Sequence, residues 1–287
     1  WCDWSSDVCS SDLIGSCIGS GIFVTPSQIA GLIPSSSLIL LVWALGGLIA
    51  LTGALTFSEL GSLFPYAGGI YVFLREAYGG WMGFLYGWAY LLIITSGSIA
   101  VLALAFSHYL GFIIPMSDNM EITVSIAAIS LLTLLNILRA KFGEIFSNIF
   151  TGLKIAGILI IIGAGFIFGS GELSFRDFPD LSSTGVTLSG FGVAFTGVLF
   201  SYGGWQHASF LAGETKNPSV NVPVAMITGA IVVTLIYLLV NTGYMLLMPV
   251  SEIISSGQVA AEAVSKVIPS GGIIVAAIIA ISTFGTI

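Results

Sequence analysis

The sequence predicts an all-α integral membrane protein, and three observations lead to this fold class. Hydrophobic residues make up 56% of the 287 positions and charged residues only 7%, whereas about 25% of residues are charged in a typical soluble domain. The apolar residues form runs long enough for a helix to cross a bilayer, which takes about 20 residues. The runs are continuous rather than alternating with polar residues, which disfavours the strands of a membrane barrel.

Eight such runs predict about eight transmembrane helices. In chain order they cover residues 13–33, 36–64, 80–115, 122–138, 143–169, 186–211, 222–250 and 267–287. The fifth run contains one charge in its interior, Lys154, with Glu144 at its start, and the third, fourth, sixth, seventh and eighth runs contain no Asp, Glu, Lys or Arg.

The two ends of the sequence differ from this pattern. Residues 1–12 (WCDWSSDVCSSD) are polar and acidic, without the basic start and apolar core of a signal peptide. We interpret them as a foreign leader outside the fold. The eighth run reaches Ile287 without a closing loop, so we expect a C-terminal truncation.

Basic residues in short loops predict the orientation, because they concentrate on the cytoplasmic side. A cytoplasmic N-terminus places four basic residues inside and two outside: Arg75, Arg139, Lys141 and Lys216 against Arg176 and Lys266. We therefore expect a multi-pass protein of the plasma (inner) membrane with its N-terminus in the cytoplasm.

Composition also excludes several functions. The seven Lys and Arg residues form no basic patch for nucleic acid. His108 and His207 stand apart from the cysteines, which gives no spaced metal-ligand set. We predict no metal site, no cofactor and, since no catalytic constellation lies at membrane depth, no enzyme.

Glycine-rich motifs interrupt the first and sixth runs: IGSGIF (18–23) and FSYGGW (200–205). Gly21 and Gly204 are 183 residues apart, and the next helices start near Leu38 and Val222, 184 residues apart. Each interval holds five helices. Because five is an odd number, the second copy is inverted across the membrane relative to the first. We therefore predict two inverted repeats, a five-helix repeat at 13–169 and three helices of a second repeat at 186–287.

Such interruptions indicate a binding site for a small polar molecule. A helix broken inside a membrane frees N–H and C=O groups, which is costly unless they line a cavity. The N–H groups suit a carboxylate and the carbonyls suit an ammonium group. This pattern predicts recognition of the zwitterionic head of an amino acid without charged side chains.

Four motifs resemble one family, the amino acid–polyamine–organocation superfamily, and especially its L-type amino acid transporter and bacterial exchanger branch. They are IGSGIFVTP (18–26), ELGSLFPYAGGIYVFLREAYG (59–79), FSYGGWQ (200–206) and GETKNPSVNVPVA (213–225). The resemblance runs from about Leu13 to Ile287. It implies a LeuT-like inverted-repeat fold with helices 1 and 6 discontinuous, alternating access and cytoplasmic termini.

The resemblance also implies a substrate site. The substrate carboxylate would meet the backbone of Ser20, Gly21 and Ile22. The ammonium group would meet carbonyls near Ile18, Phe200 and Ser201, with Phe200 as a gate. The expected site is completed by residues of the same motifs, Gly19, Tyr202, Gly203 and Trp205. The roles of Tyr202 and Trp205 are left open between substrate contact and packing, because aromatic residues in membrane helices often pack against other helices or anchor at the interface.

Lys154 is the most informative single residue. With helix entry near Ile145, it lies nine residues in, roughly 13 Å deep, where a charge is costly and usually functional. The resemblance places it where sodium-coupled relatives hold sodium, and implies contacts with first-helix carbonyls and with Ser282 or Thr283. It therefore implies sodium-independent transport. Whether Lys154 cycles a proton or only holds helices together stays open.

The remaining charges are interpreted as loop or interfacial residues: Glu59, Arg75, Glu76, Glu214 and Lys216. An inner-gate ion pair at Glu59 or Arg75 is the alternative. His108 is interpreted as a partly exposed structural residue near the outer end of the third helix.

The leading functional hypothesis is sodium-independent exchange of neutral amino acids, by a chain that does not transport without its missing helices. One alternative is proton-coupled import of cationic amino acids or polyamines. Another class is a non-transporting membrane subunit or channel, although the sequence shows neither acidic rings nor carbonyl filters. The expected partners are the amino acid substrate and the lipid bilayer, and a protein partner is left open.

Overall fold

The computed structural model describes residues 15, 17–64, 66–138, 143–171, 186–210, 215 and 217–286. Within these residues the regular secondary structure is helical and no strand is present, as the sequence predicts. The helices are, in chain order, α1 Gly21–Leu32, α2 Ser36–Leu63, α3 Ile70–Tyr78, α4 Gly80–Ala89, a π-helical segment Tyr90–Thr95, α5 Ser96–Ile113, α6 Asp118–Leu138, α7 Gly143–Phe168, α8 Leu188–Ser201, α9 His207–Phe210, α10 Pro218–Leu247, α11 Val250–Ser255, α12 Val259–Ser265 and α13 Gly271–Phe284.

Five helical stretches of the described chain are long and apolar enough to cross a membrane. They are Ser36–Leu63, Gly80–Ile113, Asp118–Ile137, Ile149–Phe168 and Ser219–Leu247, and they match the second, third, fourth, fifth and seventh predicted runs. The sixth and eighth runs contain shorter apolar helices, α8 and α13, and the first run contains helix α1, which begins at Gly21. The apolar runs therefore locate the segments but overstate helix length where glycine or proline interrupts them.

The third span changes its helical geometry in the middle. Between α4 and α5, residues Tyr90–Thr95 form a π-helix, in which each N–H bonds to the carbonyl five residues earlier. The Ser96 hydroxyl repeats this spacing, since its Oγ donates to Leu91 O at 3.0 Å. The apolar composition gives no signal for the segment, and the sequence predicts an uninterrupted helix here.

The chain packs into two compact units. Unit 1 contains Trp43–Gly97 and Leu199–Ile236, together with Ile18; unit 2 contains Gly19–Val42, Ser98–Val198 and Tyr237–Ile287. Each unit takes residues from both predicted repeats, because packing joins segments that are distant in the chain. The inverted relation between the repeats stays a prediction.

In unit 1, α2 presents glycines where other residues approach closely. A Cβ at Gly53 would lie 2.7 Å from the Trp205 ring, and one at Gly61 would lie 3.4 Å from Val222 Cγ1. A Cβ at Gly47 would overlap the Thr234 side chain. Small residues permit close contacts of this kind between membrane helices.

In unit 2, α7 and α10 touch backbone to backbone. A Cβ at Gly165 would lie 2.6 Å from Gly243 Cα and 2.9 Å from Gly243 O. Both residues are buried. The close approach of the two backbones thus depends on the absence of a side chain at Gly165.

The substitution Gly165→Val is therefore expected to lower the stability of the folded chain. Its Cβ meets backbone that cannot rotate away, and overpacking costs about 1–3 kcal/mol. The matched control is Gly163→Val, because a Cβ at Gly163 meets no atom within 4 Å. Thermal unfolding of both variants in detergent checks the expectation, and an equal drop in Tm would contradict it.

Candidate functional site

The first predicted interruption lies directly before α1. Gly15 and Cys17 are helical, the chain leaves helical geometry at residues 18–20, and α1 begins at Gly21. The N–H groups of Phe23 and Val24 donate to Ser20 O at 3.0 and 3.1 Å. The N–H groups of Gly21 and Ile22 come earlier, and the first N–H groups of a helix have no acceptor inside it. The interruption thus has backbone donors at the positive end of a helix dipole.

Burial varies within this interruption. Ile18, Ser20 and Ile22 are almost fully buried, at 0%, 4% and 0% exposure. Gly19 is partly exposed, and a Cβ built on it would meet no atom within 4 Å. Free space next to the open backbone therefore lies at Gly19.

The second predicted interruption follows α8. The helix ends at Ser201, residues 202–206 form turns, and α9 then begins at His207. Gly203 N–H donates to Phe200 O at 3.1 Å, and Gly204 N–H donates to Gln206 Oε1 at 3.1 Å. Gly204 has a φ of 116°, a conformation that residues with a Cβ rarely adopt. The turn therefore requires glycine at this position.

The aromatic residues of the second interruption divide into packed and exposed rings. Tyr202 is 2% exposed and its hydroxyl donates to Trp43 O at 3.0 Å. The Trp205 ring packs edge-on against Phe57 with centroids 5.1 Å apart. Both rings thus contact α2, whereas Phe200 is 52% exposed. The contacts of Tyr202 and Trp205 are packing contacts, whereas the Phe200 ring is exposed.

The two interruptions belong to different units. Residues 19–22 are in unit 2, while Ile18 and residues 200–205 are in unit 1. Each non-helical segment is therefore described by itself, and its role as a break inside a membrane helix stays a prediction. Their combination into one binding site stays a prediction.

Lys154 is buried in α7, with 5% of its surface exposed. It lies inside α7, which begins at Gly143, and its depth in the membrane stays a prediction. Phe150 and Gly157, four residues before and three after, share its face of the helix. Both contact α13: Phe150 O accepts a bond from Ser282 Oγ at 3.2 Å, and a Cβ at Gly157 would lie 3.0 Å from Ile278. Lys154 therefore lies on the face of α7 that packs against α13.

The two predicted hydroxyl partners are on α13. Ser282 and Thr283 are buried, at 0% and 2% exposure. Thr283 Oγ1 donates back to its own helix, to Ile279 O at 2.8 Å and Ala280 O at 3.0 Å. Ser282 bonds across to α7 one turn before Lys154. Both residues are thus on the helix that faces the lysine, and their contact with its ammonium group stays a prediction.

Three of the other charged residues, Glu59, Arg75 and Glu76, lie at the surface. Arg75 bonds its chain neighbour Glu76 at 2.8 Å, and this bond raises the pKa of the exposed Arg75 guanidinium. Glu59 is exposed, and Glu214 and Lys216 lie outside the described residues. His108 is partly exposed and contacts Glu121 Oε2 at 3.3 Å, in keeping with its structural interpretation.

Comparison with known families identifies the chain. The sequence profile of the amino acid permease family matches residues 12–287. The chain belongs to this family.

Curated relatives of the permease are named as amino acid transporters. This chain is 34% identical over 248 residues to the human b(0,+)-type amino acid transporter 1, and the match covers 84% of this chain and 50% of the human protein. It is 32% identical over 240 residues to the serine/threonine exchanger SteT of Bacillus subtilis, with 84% and 54% covered. It is 31% identical over 287 residues to the mouse Asc-type amino acid transporter 1, with 96% and 53% covered.

These relatives confirm the family inferred from the four motifs. They also confirm that the permease belongs to a class of transporters and not of enzymes. With five spanning-length helices in the described chain, it is a multi-pass integral membrane protein. The chain spans about half the length of the curated relatives it matches.

Two residues near the first interruption were not predicted from the permease sequence. Tyr109 on α5 donates its hydroxyl proton to Phe23 O at 2.8 Å, and Tyr244 on α10 donates to Ile22 O at 3.4 Å. The partners are 86 and 222 residues apart in the chain. No local sequence pattern could have found them, because the sequence alone does not distinguish a hydrogen-bonding tyrosine in a membrane helix from one that only packs.

Proposed function

We propose that this permease transports amino acids by alternating access, as a sodium-independent exchanger of neutral amino acids. The observation that carries the proposal is the interruption before α1, where the N–H groups of Gly21 and Ile22 precede the first bonds of the helix. An amino acid offers a carboxylate to such donors. The names of the relatives, an exchanger and two amino acid transporters, support the same class of substrate.

The proposed architecture is a LeuT-like inverted-repeat fold with about eight membrane helices in this chain. The first and sixth would be discontinuous, at residues 18–20 and 202–206. In its support, both segments leave helical geometry at the predicted glycines. We place the protein in the plasma membrane with a cytoplasmic N-terminus, as the distribution of basic residues favours.

Within the proposed site, the backbone of Ser20, Gly21 and Ile22 holds the substrate carboxylate. Carbonyls of Ile18, Phe200 and Ser201 hold the ammonium group, and the exposed Phe200 ring closes over it.

The remaining residues of the proposed site have supporting roles. Gly19 leaves space for the ligand, and Gly203 keeps the turn free of a side chain. Tyr202 and Trp205 hold the second interruption against α2 through the contacts described above.

Lys154 is proposed to replace a bound sodium ion. A buried ammonium group on the α7 face that meets α13 supplies a positive charge between these helices, with Ser282 or Thr283 as acceptors. The same burial favours the second candidate, proton-coupled import of cationic amino acids or polyamines. A buried lysine is able to carry a proton, because it can exist in charged and neutral forms.

The first experiment separates these two modes in proteoliposomes containing the full-length gene product. Uptake of labelled neutral amino acids is measured without sodium, with and without internal unlabelled amino acid, and with and without a proton gradient. We expect uptake that requires internal amino acid and ignores the gradient. The 287-residue chain alone is expected to give no uptake, because it spans about half the length of the transporters it matches.

Other results would change the proposal. Gradient-driven uptake into empty vesicles would support the proton-coupled mode. If no neutral amino acid is taken up but a cationic one is, the proposed substrate class would change from neutral to cationic amino acids. A strict sodium requirement would contradict the assigned role of Lys154.

A further inference from the structure

A proline leaves a specific defect in the first turns of α1. Pro26 is the sixth residue of this helix. In a regular helix the N–H of residue 26 would bond to Ile22 O, and proline has no N–H to donate. The proline ring also crowds this carbonyl and disturbs the neighbouring bond. The carbonyl of Ile22 therefore needs a donor from outside the helix backbone.

Two buried tyrosines supply hydroxyl donors at this defect. Tyr244 OH donates to Ile22 O at 3.4 Å, and Tyr109 OH donates to Phe23 O at 2.8 Å. Both tyrosines are 1% exposed. A hydroxyl buried to this degree has to find a partner, since an unpaired polar group in a low-dielectric interior is costly.

A third hydroxyl completes the turn. Thr25 Oγ1 donates to Gly21 O at 2.8 Å. Three consecutive carbonyls, those of Gly21, Ile22 and Phe23, thus each accept a side-chain hydroxyl. They belong to the residues that immediately follow the interruption at 18–20. The tyrosines come from α5 and α10, so these two helices hold the turn from outside.

We propose that Tyr109 and Tyr244 are positioning residues that fix the direction of the Gly21 and Ile22 N–H groups. Tyr244 replaces the backbone bond that Ile22 O loses at Pro26, and Tyr109 binds the next carbonyl, Phe23 O. They do not touch the substrate. They act through the first turn of α1, whose orientation decides how well its N–H groups meet a carboxylate. The inference rests on the proposed function for its link to substrate, whereas its structural part stands on unit 2 alone.

The test compares hydroxyl removal with restoration of the missing N–H. Tyr244→Phe and Tyr109→Phe are expected to raise the KM for amino acid about tenfold in the full-length protein, since a lost buried hydrogen bond has about this effect. The maximal rate is expected to change less than about twofold, because substrate binding is what weakens. Adding Pro26→Ala to Tyr244→Phe returns an N–H to Ile22 O and should bring the KM most of the way back.

The matched control is Tyr237→Phe. Tyr237 is also fully buried on α10, two turns before Tyr244. Whatever this variant does to transport, Pro26→Ala should not reverse it, because the restored N–H reaches Ile22 O and no other acceptor. A general gain in stability from removing a proline would instead rescue Tyr237→Phe and Tyr244→Phe equally, and that result would overturn the inference.

A second readout does not depend on transport. Amide hydrogen exchange in the first two turns of α1 should be faster in Tyr244→Phe and slow again in Tyr244→Phe with Pro26→Ala. If exchange follows this order while no amino acid is transported, the positioning role stands and the proposed function fails. If transport is normal but neither KM nor exchange changes in the tyrosine variants, the positioning role is wrong.

Discussion

Replacing Gly204 with leucine in the full-length permease is expected to abolish amino acid uptake while leaving membrane insertion intact. Gly204 is buried and has a φ of 116°. A residue with a Cβ held in so sparsely populated a region costs about 1–3 kcal/mol, so the turn between α8 and α9 must change. The proposed ammonium-binding carbonyls precede this turn. A misplacement of about 1 Å there can lower the rate about 100-fold.

Gly21→Leu is expected to have the same effect from the other interruption. Gly21 is buried at the start of α1, and its N–H is proposed to meet the substrate carboxylate, which a leucine side chain would crowd. Uptake into proteoliposomes and protease protection of the inserted chain measure transport and insertion separately.

The control for both variants is Gly192→Leu. Gly192 lies in α8, is exposed, and a Cβ there meets no atom within 4 Å. Normal uptake is expected from it. Wild-type kinetics in Gly204→Leu or Gly21→Leu would remove the interrupted-helix site from the proposal, and equal loss in all three would indicate general damage by leucine.

Lys154→Ala is expected to abolish exchange or to change its dependence on the proton gradient, with a loss of at least about tenfold. The substitution removes a buried cation from the face of α7 that packs on α13. It also leaves a space, and large-to-alanine changes in a packed core cost about 2–5 kcal/mol. Lys154→Met keeps most of the volume without the charge, so it separates the two causes.

The surface lysine Lys266 provides the control for charge removal. It pairs with Glu252 at 2.7 Å and is half exposed, and such pairs contribute about 0–1 kcal/mol. Lys266→Ala should therefore transport normally. Exchange and gradient-driven uptake are measured at several pH values for each variant. Full activity of Lys154→Met at every pH would reduce Lys154 to a packing role.

The sequence predicts the spans of this permease well because the bilayer imposes length and hydropathy on each one. Both glycine-rich motifs coincide with non-helical residues, 18–20 and 202–206, and Gly204 has a φ of 116° that other residues avoid. That these segments interrupt membrane helices stays a prediction. Helix ends are less well predicted. The run at 267–287 gives a helix only from Gly271 to Phe284, because Pro269 disfavours helical geometry in the residue before it.

Features that depend on distant contacts were not predictable. The short helices α3, α11 and α12 are too short to give an apolar run, and the π-helical segment has the composition of any membrane helix. The bond from Tyr244 to Ile22 joins residues 222 positions apart. Lys154 was found from its charge and its predicted depth, and the resemblance implied Ser282 or Thr283 as partners. The packing of α7 on α13 places both hydroxyls on the helix that faces the lysine.

The glycine contact between α7 and α10 constrains how this part of the protein can evolve. Gly165 and Gly243 have no side-chain atoms to remove, so enlargement of one cannot be balanced by reduction of the other. In most core contacts, a larger residue on one side can be balanced by a smaller residue on the other, but two glycines allow no such compensation. A lineage that loses either glycine must separate the two helices, and we expect homologues that keep this crossing to hold the smallest residues at both positions.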